Sequence, residues 1–200
     1  MLSLEEIGGR VRVCTDCELC RTRTNAVPGD GTAHAEIMFI GEAPGWHEDQ
    51  QGLPFIGAAG QFLNELLEKI GLKRDEVFIT NVVKCRPPGN RDPLPDEIAA
   101  CSAYLDAQLA VIQPRLVVTL GRFSMARWFP GERISRIHGQ ARRFGELVVV
   151  PMYHPAAALH QSSLKAAVEA DMLKLPGILA EARASRIPEE AEAPSQLRLF

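Results

Sequence analysis

Three cysteines stand three residues apart near the start of the chain, in CTDCELC (Cys14, Cys17, Cys20), and only Cys85 and Cys101 follow. A C-x2-C pair joined by two distant cysteines can offer four thiolates to one tetrahedral zinc ion or to an iron–sulfur cluster. A thiol outside such a set behaves as a small apolar side chain, which is how Cys101 reads when taken alone. Other residues with chemistry sit in short runs. GEAPG (Gly41 to Gly45) combines glycines that let backbone approach a ligand with one carboxylate, Glu42. EDQQGLPFIGAAG follows with Glu48, Asp49, three glycines and the aromatic Phe55, an elaborate loop for a plain connection. Asn81 could donate and accept along the edge of a base. His154, before Pro155, could stabilise a developing anion as a neutral imidazole.

Regular elements must place these residues. Four apolar runs, EIMFIG (36–41), VFITNVV (77–83), RLVVTLG (115–121) and LVVVPMYH (147–154), show little alternation, as in strands buried on both faces. AAGQFLNELLEKIGL, from Ala58, sets Phe62, Leu63, Leu66, Leu67 and Ile70 on one helical stripe, with Gly71 where a C-cap would sit. PLPDEIAACSAYLDAQLAVI has acids in its first turn and Ile98, Cys101, Leu105, Leu109 and Ile112 at helical spacing. SSLKAAVEADMLKLPGILAEARA predicts a closing helix bent at Pro176. Strands alternating with helices predict an α/β fold with a mostly parallel sheet covered on both sides. Ligand sites in such sheets gather at the carboxyl ends of the strands, where GEAPG, TNVVKCRPP, LG and HPAAAL all fall.

The composition, 46% apolar and 24% charged over 200 residues, suits one globular domain. That domain is expected over residues 1–185, with a flexible tail at 186–200. No run of about eighteen apolar residues appears, and MLSLEEIGGR lacks a signal-peptide layout. No membrane association and a cytoplasmic location are therefore expected. In a reducing compartment, clustered cysteines point to metal or redox chemistry rather than a disulfide scaffold. The net charge of −3 carries no whole-chain signal for nucleic acid. Basic residues do collect locally, as Arg133, Arg136, His138, Arg142 and Arg143 in one group and Lys84, Arg86 and Arg91 in another. Either group could meet phosphates, and each taken alone reads as solvated surface charge.

Taken together, GEAPG with ED-x2-G-x-PF-x-G, then TN-x-VKCRPPGNRDPLP, then HPAAAL resemble the family 4 uracil-DNA glycosylases, the iron–sulfur branch of the uracil glycosylase superfamily. The likeness runs from Cys14 to Leu175. It implies a three-layer α/β/α sandwich around a four-stranded, mostly parallel sheet. It implies an enzyme that flips uracil out of DNA and hydrolyses its N-glycosidic bond, leaving an abasic site for base excision repair. Phe55 would stack on the flipped base, Asn81 would hydrogen-bond its edge, and Gly41 and Gly45 would shape the binding loop. His154 would face O2, where a donor stabilises the departing uracil anion. The better-known uracil glycosylases carry an acid two positions into this loop, but here Ala43 and Pro44 follow Glu42. Glu42 is therefore assigned to water, with Asp49 as the second candidate.

The same likeness implies a structural four-iron four-sulfur (4Fe-4S) cluster on Cys14, Cys17, Cys85 and Cys101, leaving Cys20 spare, with zinc as the rival metal. HPAAAL puts Ala156 where the commoner HP-S form has a hydroxyl, so backbone amides of the following helix are expected to serve a phosphate instead. The RIH in RISRIHGQARR is similar to an insert of a relative that traps DNA covalently. That insert belongs after the second strand, so turnover is favoured over trapping. In the final SQLRLF, the residues Gln196, Leu197, Leu199 and Phe200 resemble the bacterial sliding-clamp-binding pentapeptide, an anchor on a tether. A monomer acting on uracil-containing DNA at a bacterial nucleoid is the expected whole.

Overall fold

In the computed structural model, which describes residues 2–185, each central strand sends its apolar side chains alternately to two cores. The strands are β1 (Asp30–Gly31), β2 (Ile37–Gly41), β3 (Phe78–Asn81), β4 (Leu116–Leu120), β5 (Arg142–Phe144) and β6 (Leu147–Met152). Ile37, Phe39, Ile79, Val118 and Val150 face one core, while Met38, Ile40, Phe78, Val117 and Val149 face the other. With both faces covered, the strands show no polar alternation, and each such buried side chain contributes about 1.5–3 kcal/mol.

The helices are α1 (Leu4–Val13), α2 (Trp46–Gln51), α3 (Ala58–Lys69), α4 (Pro95–Ile112), α5 (Arg122–Ala126), α6 (Ile134–Ile137), α7 (Pro155–His160), α8 (Ser162–Met172) and α9 (Leu175–Ala184). α3, α8 and α9 close the first core through Leu63, Leu66, Val168, Met172 and Leu179. α1, α4 and α5 close the second through Ile7, Val11, Leu105, Ile112 and Met125. The result is a three-layer α/β/α sandwich. Gly71, left-handed at φ 74°, follows α3, and the Leu72 N–H bonds back to the Leu67 carbonyl, so the expected glycine stop is present.

The sheet order is β1-β3-β2-β4-β6-β5. β3, β2, β4 and β6 are parallel neighbours, the four strands the sequence announces. The sheet nevertheless has six strands rather than four, because β1 and β5 add to its two edges antiparallel. β1 is two residues long and β5 is exposed throughout, so neither displays an apolar run. The closing helix is also two helices rather than one bent rod. Pro176 lacks an N–H to continue α8 but fits the first turn of a new helix, α9. From β2 the chain crosses to β3 on one side and then to β4 on the other, which opens a crevice at the carboxyl end of β2. Among the described residues no helix is long and apolar enough to cross a membrane. The expected tail, with Gln196, Leu197, Leu199 and Phe200, lies outside the described residues.

Candidate active site and cysteine cradle

Parallel register sets Gly41 opposite Asn81 at the ends of β2 and β3. Beyond those ends lies a cavity of about 410 Å3, lined by Glu42, Gly45, Glu48, Phe55, Asn81 and His154, among others. Gly41 stands behind the lining: a methyl there would lie 2.4 Å from Asn81 Oδ1 and 2.6 Å from Phe55 Cζ. The rings of Phe55 and His154 stack with centroids 5.5 Å apart and planes 26° apart. Asn81 is 1% exposed, and its Oδ1 has no hydrogen-bond partner. A buried orphan acceptor is costly, so a donor from a ligand would gain the whole of that penalty.

His154 caps α7, and its Nδ1 accepts the Ala156 N–H at 3.1 Å. That bond assigns the ring proton to Nε2. Burial draws the imidazole pKa down to about 4, with the Glu48 carboxylate opposing the shift, so the ring is neutral at pH 7. Burial, and then the nearby Asp92, push the half-buried Glu42 above its ordinary 4.5, against the pull of Arg122. A raised carboxylate lining the same cavity as Asn81 and His154 is suited to accept a proton from water.

The Phe55 loop is braced by residues that the sequence reading did not single out for this role. Phe55 takes a left-handed φ of 49°, a conformation that costs a bulky residue free energy and persists only when its surroundings hold it. Arg74 supplies that hold, donating to the carbonyls of Pro54 and Phe55 and to Asn64 Oδ1. Gly60 allows the close approach, since a Cβ there would sit 1.9 Å from the Phe55 carbonyl oxygen. Glu48 accepts the N–H groups of Ile56 and Gly57 at 2.9 Å each and that of Gly45 at 3.1 Å, which ties GEAPG to the Phe55 loop. Asp49, in contrast, is buried away from the cavity, where its Oδ1 accepts the Thr24 N–H at 2.9 Å. It is removed as a candidate for activating water.

All five cysteines line a second, small pocket on the opposite core, together with Arg23, Lys84 and Tyr104. Cys14 caps α1, Cys17 precedes a tight turn that contains Cys20, Cys85 follows β3 and Cys101 lies on α4. Arg23 donates to Cys85 Sγ at 3.0 Å and to the Cys14 carbonyl at 2.8 Å. The Lys84 N–H donates to Cys101 Sγ at 3.2 Å. Burial pushes the Cys101 thiol up to about 11 and raises Cys17 and Cys85 as well. Among the described residues no group of three or more His, Cys, Asp or Glu is arranged to hold a metal ion.

A family model described as the uracil DNA glycosylase superfamily matches residues 28–174. The chain belongs to that superfamily. It is 51% identical to a type-4 uracil-DNA glycosylase of Sulfurisphaera tokodaii, over 88% of this chain and 84% of that protein. A type-4 uracil-DNA glycosylase of Archaeoglobus fulgidus is 47% identical over 88% of this chain and 92% of its own. One of Thermotoga maritima is 42% identical over 80% and 85%.

Within this superfamily member, the group of Lys84, Arg86 and Arg91 is not an open patch, whereas Arg133, Arg136, Arg142 and Arg143 are exposed, as solvated surface charges would be. Lys84 is fully buried, and burial draws its amine down to about 7. Arg91 is paired with Glu97, Arg86 bonds Asn90, and Arg142 is paired with Glu132. His138 is held against Asp171 by a 2.6 Å contact and packs on Tyr153 rather than lining the cavity. The amides expected to serve a phosphate are also engaged, that of Ala156 by the His154 ring and that of Ala157 by the His154 carbonyl.

Proposed function

We propose that this superfamily member flips uracil out of DNA into the 410 Å3 cavity and hydrolyses its N-glycosidic bond, leaving an abasic site. The buried, unpartnered Asn81 Oδ1 carries this reading. Uracil offers N3–H to that oxygen and O4 to the Asn81 amide, whereas cytosine would set an acceptor against the oxygen and an amino group against the amide. Phe55 stacks on the base. As the C1′–N1 bond breaks, its electron pair passes to uracil, and Nε2–H of the neutral His154 donates to the growing charge on O2. Water adds to the oxocarbenium-like sugar and gives a proton to Glu42.

The donor set of the cysteine cradle fits an iron–sulfur cluster: thiols in an apolar pocket, with N–H donors from Arg23 and Lys84 on two of the sulfurs. Cys14, Cys17, Cys85 and Cys101 would hold a 4Fe-4S cluster, which supplies a structural fastening rather than a redox step. Its brown colour separates it from zinc, which gives colourless protein. The proposed partner is uracil-containing DNA, and the proposed location is the bacterial nucleoid. The protein acts as a monomer, one domain at 1–185 with a tail at 186–200. The tail anchor would bring it to a sliding clamp, a contact that deletion from Pro194 onward should abolish.

The decisive experiment incubates the protein with an oligonucleotide holding a single uracil and then treats it with alkali. Strand breakage at the uracil is expected. A stable protein–DNA adduct, or retention without breakage, would overturn turnover in favour of trapping. His154→Ala should abolish breakage while the fold survives.

A further inference from the structure

Lys84 is a large, fully buried side chain, and no step of the proposed reaction uses it. Its Nζ reaches Thr80 Oγ1 at 2.6 Å, the Asn81 carbonyl at 2.8 Å and Gln108 Oε1 at 2.7 Å. Its main chain is equally engaged. The N–H donates to Cys101 Sγ at 3.2 Å, and the carbonyl accepts the Val27 N–H at 2.7 Å. Gln108 and Thr80 in turn both donate to the Pro28 carbonyl, at 2.7 and 3.0 Å. One residue thus joins the end of β3, helix α4, the segment leading out of the cysteine turn, and the cysteine pocket itself.

Burying a lysine amine is expensive, and an apolar side chain of similar length would fill the same space without that cost. The geometry of its contacts says what the amine does. β3 ends at Asn81, and beyond it two bonds hold the chain to the end of β2 and the residue after it, from Val82 N–H to the Gly41 carbonyl and from Val83 N–H to the Glu42 carbonyl, both 3.1 Å. Without the Lys84 amine, the carbonyl of Asn81 would lose its hold at the point where the side chain must meet a base.

We infer that Lys84 is a positioning residue that couples the cysteine cradle to the base-reading side chain of Asn81, so that filling the cradle sets the geometry of uracil recognition. This rests on the assignment of Asn81 to base reading. Misplacing a reading group by about 1 Å can cost on the order of 100-fold in rate, which is the scale expected here.

The test compares wild type with Lys84→Met, which keeps the length of the side chain and removes the donors. Expected are a fall in kcat of about 10- to 100-fold with KM for DNA changed less than about twofold, and unchanged iron content. Hydrogen exchange should quicken at the Val82 and Val83 amides while the amides of β4 stay protected. Unchanged kcat and unchanged exchange would overturn the inference. If Lys84→Met does not fold, Thr80→Val and Gln108→Leu each remove one oxygen from the amine without touching a cysteine. Either should give the same split, and wild-type behaviour in both would overturn the inference. Stripping the metal from wild type should loosen Val82 and Val83, and unaltered exchange there counts against coupling. Asn81→Ala tests the base-reading assignment separately, because its activity can be lost or kept independently of the exchange rates.

Discussion

Gly41 has no side chain because Asn81 Oδ1 and Phe55 Cζ already occupy the space that one would need. Gly41→Ala should therefore cut uracil release by about 100-fold or more while circular dichroism stays native, since it displaces the two groups proposed to read and stack on the base. The titration of the site follows from its two shifted groups. His154 has a folded-state pKa of about 4 against an ordinary 6.5, so the folded protein binds fewer protons than the unfolded chain between those values. Its contribution to stability is complete above 6.5 and is lost as pH falls toward 4. Protonation would also put a donor on Nδ1 against the Ala156 N–H. The acid limb of kcat/KM belongs instead to Glu42, with an apparent value above 4.5. Glu42→Gln should flatten that limb as well as lower the rate, measured as kcat/KM against pH.

At the scale of elements, the Phe55 loop stands on one cation. Arg74→Ala would leave two loop carbonyls without their donor and release the left-handed Phe55. Denaturant unfolding should show a loss of about 2–4 kcal/mol, and kcat should fall about tenfold as stacking loosens. Nothing near Arg74 in the sequence announces this, because its acceptors lie far back in the chain and only the fold brings them together. The parallel strands were legible for the opposite reason. Burial on both faces writes itself as an unbroken apolar run, so β2, β3, β4 and β6 show in the letters. The edge strands β1 and β5 bury too little to leave such a trace. Helix α4 shows a third case. Apolar spacing found Leu109, which packs half-buried against the second core, but it missed the more deeply buried polar Gln108, which serves Lys84 and the Pro28 carbonyl.

Across the whole molecule, the cysteine cradle is one of the ties that hold the first thirty or so residues to the fold. Ile7 and Val11 of α1 pack into the same core as Leu105 of α4, and Arg23 straps the cysteine turn to Cys85. A cross-link spanning Cys17 to Cys85 restricts the unfolded chain by about 4 kcal/mol on loop entropy alone. Chelating the metal should therefore lower the melting temperature and expose the N-terminal segment to protease. Cys14→Ser and Cys85→Ser should bleach the protein and release iron, whereas Cys20→Ser should keep both, read as iron per chain. The C-x2-C spacing made a clustering of cysteines legible, but Cys20 lines the same pocket as the others. Spacing names the site without naming the spare thiol. The cradle also imposes an order on biosynthesis. Cys14 and Cys17 emerge from the ribosome long before Cys85 and Cys101, and the core that α1 enters is not closed until Leu105 and Ile112 of α4 are made. A chain stalled in between carries three bare, oxidisable thiols at its front, so filling of the cradle would have to wait until the middle of the message has been read.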